Sequence, residues 1–381
     1  MMKKNYLLLT LFFTITFCYS QKKEIDSIPF SLEKQLLTFS GKVNGKTIEF
    51  ALDTGAAVSV SNSINNKTAY VEILDSNKTI NDSSNKKIKI KSTKIESLSI
   101  GNFEVKNLKG VTFDMPFLYC TNLLLLGQDF IKKFNWKIDF TKKLIYISEK
   151  PFPTDRSYHK WTVYYNSNRP LIDFTIQNKT FKNCLLDTGF SGVMEINSKD
   201  TDIMNTIFDE KKSKNQADEF ISTNMGLSGL GNPESYSTFF VDEIKLDQTV
   251  IRQLLITINK AKESKIGINF FSQYSDVLIM NFNENAFYLK QSGKPLLPKK
   301  QMDAKAFFID GKLTVISKNM NENSTAKNVQ IGDHIKSING KNASEFTECE
   351  LLQWAYFSKE DYILEKDNGE KIEIKSSSHL K

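Results

Sequence analysis

A chain of 381 residues, 40% of them hydrophobic and 25% charged, is long enough to bury a sizeable packed core without relying on cross-links. Its formal charge of +7 is spread over lysine-rich strands and loops with no aromatic platform or known motif beside them, which reads as a solvated surface and argues against a nucleic-acid partner. The three histidines, His159, His334 and His379, lie far apart without ligand spacing, so neither a metal nor another cofactor is expected.

The chain starts with Lys3 and Lys4, a mostly apolar run from Leu7 to Phe17, and Ser20 at a fitting cleavage point. That pattern predicts a signal peptide over residues 1–20 and export to the periplasm or the cell exterior. The run falls short of the roughly 20 residues a span needs, so no stable membrane insertion is expected. Phe17 is too large for the small residue that normally precedes a lipidated cysteine at position 18.

Beyond it, Phe50-Ala51-Leu52 reads as a short strand leading into Asp53-Thr54-Gly55, and Cys184-Leu185-Leu186 leads into Asp187-Thr188-Gly189, 134 residues later. The surroundings repeat in the same order. Val43-Asn44-Gly45-Lys46-Thr47-Ile48 matches Ile176-Gln177-Asn178-Lys179-Thr180-Phe181, with Asn183 as a one-residue insertion. Leu126-Gly127-Gln128-Asp129-Phe130 matches Ile266-Gly267-Ile268-Asn269-Phe270, and Leu144-Ile145-Tyr146-Ile147 matches Ala286-Phe287-Tyr288-Leu289. This is a two-copy duplication, not a short-period array, with one lobe over residues 21–150 and the other over 151–292. Between the blocks, Lys86-Lys87-Ile88-Lys89-Ile90-Lys91 alternates as a half-exposed strand should. Gly189-Phe190-Ser191-Gly192 is no nucleophile elbow, because Val193 stands where the second glycine is required.

A proline-bearing linker over residues 293–304 follows, then a module over 305–376. Its segment Ile331-Gly332-Asp333-His334-Ile335-Lys336-Ser337-Ile338-Asn339-Gly340 resembles the core signature of PDZ domains. A helix is expected from Ser344 through Ala355, and strands at Tyr362-Ile363-Leu364 and Ile372-Glu373-Ile374. The glycine-containing carboxylate-binding loop of that family has no counterpart before Asp310-Gly311, so the resemblance implies the fold, and tethering and purely structural roles stay open. After processing Cys120, Cys184 and Cys349 remain, an odd count whose pairing the sequence leaves open.

The duplicated triplets, with Leu125-Leu126-Gly127 and Lys265-Ile266-Gly267 downstream, resemble the aspartic peptidases of the pepsin and retropepsin clan over roughly residues 35–292. The resemblance implies a mainly β, bilobal acid-protease fold with pseudo-twofold symmetry, followed by the small α+β module. It implies a hydrolase, an aspartic endopeptidase acting on a peptide or protein substrate, with Asp53 and Asp187 catalytic. Thr54, Gly55, Thr188 and Gly189 would support the pair. With both lobes in one chain, a monomer is expected. A non-catalytic peptide-binding protein using the same cleft and module is the alternative.

The chemistry needs a matched pair. Two carboxyls about 3 Å apart cannot both ionise, so they share one proton and divide the roles of base and acid. At an effective dielectric near 20, like charges some 4 Å apart repel by about 4 kcal/mol, equivalent to roughly three pKa units. Three departures stand out. Ala56 and Phe190 follow the triplets where pepsin-like members carry a hydroxyl that favours the charged aspartate, so a less acidic optimum than a digestive pepsin's is expected. Lys265 occupies a position that is usually apolar. The turn at Asn81–Lys86 carries no aromatic residue, whereas the glycine-rich stretch from Gly226 to Pro233 offers either a cover from the second lobe or an ordinary surface loop.

Overall fold

The computed structural model describes residues 25–81, 87–197, 202–214, 216–226, 229–260, 263–293, 301–358 and 360–377. The expected signal peptide, residues 82–86 of the turn at Asn81–Lys86, Leu227 and Ser228 of the glycine-rich stretch, and residues 294–300 of the linker lie outside them.

Sharp polar turns convert the repeated blocks into repeated hairpins. In the first half Val43 pairs with Lys46, and the two residues between them, Asn44 and Gly45, have φ of 47° and 77°. The second half closes Ile176 on Lys179 through Gln177 and Asn178, at 47° and 66°. Two consecutive left-handed residues match the turn to the strand twist, and Asn tolerates that region well enough to stand where the first copy has Gly. The inserted Asn183 also lies in the left-handed region, at 62°, where the hairpin register shifts between Ile172 and Phe174. An extra residue is thus absorbed as a bulge without moving the aspartate strand off its face.

The first-half sheet runs Thr38–Val43, Lys46–Leu52, Leu123–Leu126, Val60–Ser61, Phe103–Thr112, Lys87–Ile100, Glu72–Asn81. The second half repeats this order with Arg169–Ile176, Lys179–Asp187, Lys265–Gly267, Met194–Asn197, Thr249–Asn259, Gly229–Leu246, Ala217–Gly226. Parallel pairing recurs at matching places, between Lys46–Leu52 and Leu123–Leu126 and between Lys179–Asp187 and Lys265–Gly267. A six-stranded sheet joins the halves, its central antiparallel pair being Asn135–Asp139 against Ser275–Asn281. The pseudo-twofold axis passes between those two strands. The main apolar core runs through both halves, with Trp136 and Trp161 fully buried and their indole N–H groups donating to Ile131 O (2.7 Å) and Thr249 Oγ1 (3.0 Å). The protein is mainly β and bilobal.

The C-terminal residues are built onto both halves. The hairpin Ala304–Ile309 and Lys312–Asn319 continues the second-half sheet, with Phe220 opposite Asn319, Ile221 opposite Lys318 and Ser222 opposite Ser317. A separate four-stranded sheet follows, Lys341–Asn342, Ile335–Ile338, Tyr362–Lys366 and Lys371–Ile374 in spatial order. The expected helix starts later than Ser344. Ala343–Glu345 forms a 3-10 turn, and the α-helix is Glu348–Phe357, because Thr347 and Glu350 cap each other's backbone N–H groups.

That helix meets the first half at the short helix Pro116–Thr121. Phe117 packs on Tyr356 and Phe357, and a disulfide joins Cys120 to Cys349 with a Cα–Cα distance of 5.1 Å. Cys184 is free and buried, and burial pushes its thiol far up, which makes it a small core hydrophobe. The bridge closes a separation of 229 residues, for which the chain-entropy account gives a stabilisation on the order of 5 kcal/mol. Cys349→Ala and Cys120→Ala should lower the denaturation midpoint equally, and reductant should bring the wild type to the same value. A wild type indifferent to reductant would rule the bridge out.

Candidate active site

Each Asp-Thr-Gly triplet begins where an apolar strand ends against a parallel neighbour. Leu52 lies opposite Leu126, and Asp53 N donates to Leu126 O at 3.0 Å. In the second half Leu186 lies opposite Ile266 and Asp187 opposite Gly267. The loop after each triplet tucks under the neighbouring strand. Gln128 N donates to Ala56 O and Ile268 N to Phe190 O, both at 2.8 Å. Glycine is obligatory where the loops cross: a Cβ on Gly127 would stand 2.4 Å from Val58 C, and one on Gly267 2.3 Å from Gly192 O.

The two triplets meet face to face. Thr54 Oγ1 accepts from Thr188 N (3.0 Å) and donates to Leu186 O (2.6 Å). Reciprocally, Thr188 Oγ1 accepts from Thr54 N (3.0 Å) and donates to Leu52 O (2.9 Å). Both threonines are buried, so each of these four bonds replaces one that water cannot supply. Gly55 and Gly189 carry no side chain because the opposite carboxyl occupies that space. A Cβ on Gly55 would lie 2.6 Å from Asp187 Oδ1, and one on Gly189 2.3 Å from Asp53 Cγ.

The carboxyls face each other across this junction, each filling the space beside the other half's glycine. Asp53 Oδ1 accepts from Gly55 N (2.8 Å) and Ala56 N (2.9 Å), and Asp187 Oδ1 from Gly189 N (3.0 Å). Burial, then the charge and hydrogen bond of Asp187, push Asp53 well above the ordinary carboxylate range against the pull of those amides. Burial raises Asp187 as well, while the Lys265 ammonium and the bond from Asp53 pull it back. A pair held this way keeps one proton between two oxygens.

All six residues expected from the sequence meet at this junction. Several others that shape it carried no recognisable signal. Gln128 Nε2 donates to Thr54 O at 2.9 Å, bracing the first loop from below. Asp129 Oδ1 accepts from Ser59 N (3.0 Å) and Ser59 Oγ (2.7 Å), and Ser59 Oγ in turn accepts from Gly127 N (3.0 Å). Asn269 takes the corresponding place and donates to Ser191 O. Gly226 and Gly229 pair across the end of a long hairpin, so the glycine-rich stretch belongs to a β-ribbon whose outer strand is the one bonded to Lys312–Asn319. Val58, Leu125 and Leu230 pack on an apolar cluster that continues into the C-terminal module. A groove of about 420 Å³ lies within that module, lined by Phe308, Leu313, His334 and Phe346, away from the carboxyl pair.

Residues 39–133 match the family described as "gag-polyprotein putative aspartyl protease". The matched segment holds Asp53-Thr54-Gly55 and Leu126-Gly127 and stops short of Asp187. Among solved structures, the chain is similar to a retropepsin-like aspartic protease from Rickettsia conorii at 23% identity, covering 32% of this chain and 89% of that one with a TM-score of 0.25. No curated protein matches. The family match supports an aspartyl-protease type for the first half.

The raised carboxyls have a consequence for stability. A carboxyl whose pKa is higher folded than unfolded contributes its stability below the unfolded value, about 4, and loses it as pH rises through the folded value. Asp53→Asn carries no charge at any pH and leaves Asp187 beside Lys265 without like-charge repulsion. The melting temperature of that variant relative to wild type should therefore rise as pH goes up from about 4 and level off once pH has passed the raised folded-state pKa. A difference independent of pH would contradict the coupling.

Proposed function

We propose that this chain is an exported aspartic endopeptidase that hydrolyses peptide bonds with water activated by Asp53 and Asp187. The observation that carries the reading is the pair of carboxyls brought face to face from the two halves, clasped by four reciprocal threonine bonds. In such a pair the ionised carboxyl takes a proton from water as the oxygen attacks the scissile carbonyl. The protonated partner donates to the carbonyl oxygen, giving a neutral tetrahedral diol. Collapse of the diol returns a proton to the leaving nitrogen, and the dyad is restored. Thr54, Thr188, Gly55 and Gly189 hold the two oxygens in register and do no proton transfer. Each half contributes one aspartate, so a monomer suffices for the site.

The substrate is a peptide or protein segment lying extended between the halves, beneath the ribbon ending at Gly226 and Gly229. The C-terminal residues form a PDZ-like module, tied by a disulfide to the first half and by strand pairing to the second. The signal-like start supports delivery to the periplasm or beyond, where that disulfide is chemically at home.

Ala56 brings only its backbone N–H to Asp53, and Phe190 brings no hydroxyl to Asp187, so the ionised pair lacks two donors. Cleavage of a diverse peptide library from about pH 3 to about pH 8 should peak above pH 3, and Asp53→Asn and Asp187→Asn should each cut turnover by at least about a thousandfold. No cleavage by folded wild type, with peptide binding retained in both variants, would replace this reading by that of a binding protein.

A further inference from the structure

We propose that Lys265 is a positioning residue that biases the shared proton toward Asp53 and leaves Asp187 as the carboxylate that receives the proton from water. The inference rests on the peptidase reading and assigns the two aspartates their separate roles.

Lys265 begins the strand Lys265–Gly267, which runs parallel to Lys179–Asp187 with Lys265 opposite Leu185 and Gly267 opposite Asp187. Side chains alternate along a strand, so Leu185 and Asp187 share a face, and the register sets Lys265 on it. The lysine side chain is only 19% exposed. Its ammonium lies 4.3 Å from the centroid of the Phe190 ring and 3.4 Å from Glu195 Oε1. Phe190 directly follows the second triplet, so its ring forms a wall that holds the ammonium near the Asp187 loop and away from water. A single contact thus accounts for two departures from the usual pattern, a lysine at 265 and a bulky aromatic ring at 190.

Among the described residues, the first half has nothing equivalent. Leu125 stands where Lys265 does, and Ala56 where Phe190 does. The backbone is near symmetric about the dyad, yet the charge is not. Five other charged groups face this region. Glu195 Oε2 accepts from Asn259 Nδ2 at 2.8 Å and partly neutralises the lysine, whereas Glu263 is held by Arg169, with Nη2–Oε2 at 3.0 Å. Asp187 and Asp53 are the remaining two. In keeping with this layout, the Lys265 charge is the largest influence opposing the burial of Asp187, and it does not figure among the causes acting on Asp53.

The test is a ¹³C-carboxyl NMR titration of the pair, assigned with Asp53→Asn and Asp187→Asn, alongside the pH profile of kcat/KM. Lys265→Met should move the lower apparent pKa of the pair, and with it the acidic limb, upward by about one pH unit. Lys265→Arg should restore the wild-type value. Glu195→Gln frees the lysine charge from its partner and should move the same pKa downward. Opposite shifts from the two ends of one ion pair are not expected of residues that only fill space. Should Lys265→Met fail to fold with Glu195 left unpaired, the Lys265→Met/Glu195→Gln double variant removes both charges together and should show the upward shift. An unmoved titration in folded Lys265→Met or in the double variant, or shifts of the same sign from Lys265→Met and Glu195→Gln, would overturn the proposal. The titration needs no substrate, so it separates this failure from that of a protein that cuts no peptide.

Discussion

Two carboxyls buried side by side repel unless they share a proton, and the surrounding structure exists to keep them close enough to do so. Neither half can build this arrangement alone. Thr54 needs the Leu186 carbonyl and the Thr188 N–H of the other half, and Thr188 needs the Leu52 carbonyl and the Thr54 N–H. Each glycine of the triplets yields its side-chain volume to the opposite aspartate. The six-stranded sheet that joins the halves keeps these four bonds in line, because its central strands fix the relation of one half to the other. A slip there would misalign the four bonds as a set and leave buried polar groups unpaired.

The C-terminal module adds a second connection between the halves. Strand pairing attaches it to the long ribbon of the second half, while Cys120–Cys349 and the packing of Phe117 on Tyr356 and Phe357 attach it to the first. Gln35 of the first half also donates to the Tyr356 carbonyl. The ribbon is therefore not a free hairpin, since its outer strand is bonded to the module along Phe220–Ser222. Any motion that opens it must carry the module along or break those backbone bonds.

Much of the lobe architecture was legible because duplication prints itself twice. Matching Leu126-Gly127 with Ile266-Gly267 marked a strand in each half, which the structure pairs in parallel with the aspartate strand, and alternation at Lys87-Ile88-Lys89-Ile90 located a half-exposed strand with Ile90 inside. Asn183 was visible as an insertion, although only backbone geometry shows that a left-handed bulge absorbs it. Contacts of long sequence separation were not legible. Cys120 and Cys349 stand 229 residues apart with no spacing rule to join them, and the pairing of Lys312–Asn319 with Ala217–Gly226 depends on an edge that sequence periodicity does not reveal. Lys265 and Phe190 were visible only as oddities. Their meaning lies in a cation–ring contact across two strands, which no local pattern encodes. The start of the last helix was misplaced because Ser344 and Thr347 are both good caps, and the reciprocal partner Glu350 decides for Thr347.

The proposed function requires Asp53 and Asp187 to act as one unit on one reacting carbon. A crystal structure with a peptide whose scissile unit is replaced by a secondary alcohol tests it most directly, since the hydroxyl stands where the attacking water's oxygen would be. That hydroxyl should lie within hydrogen-bond reach, about 2.6–3.2 Å, of a carboxyl oxygen from each aspartate. A peptide seated elsewhere, or a hydroxyl touching only one of the two, would contradict it.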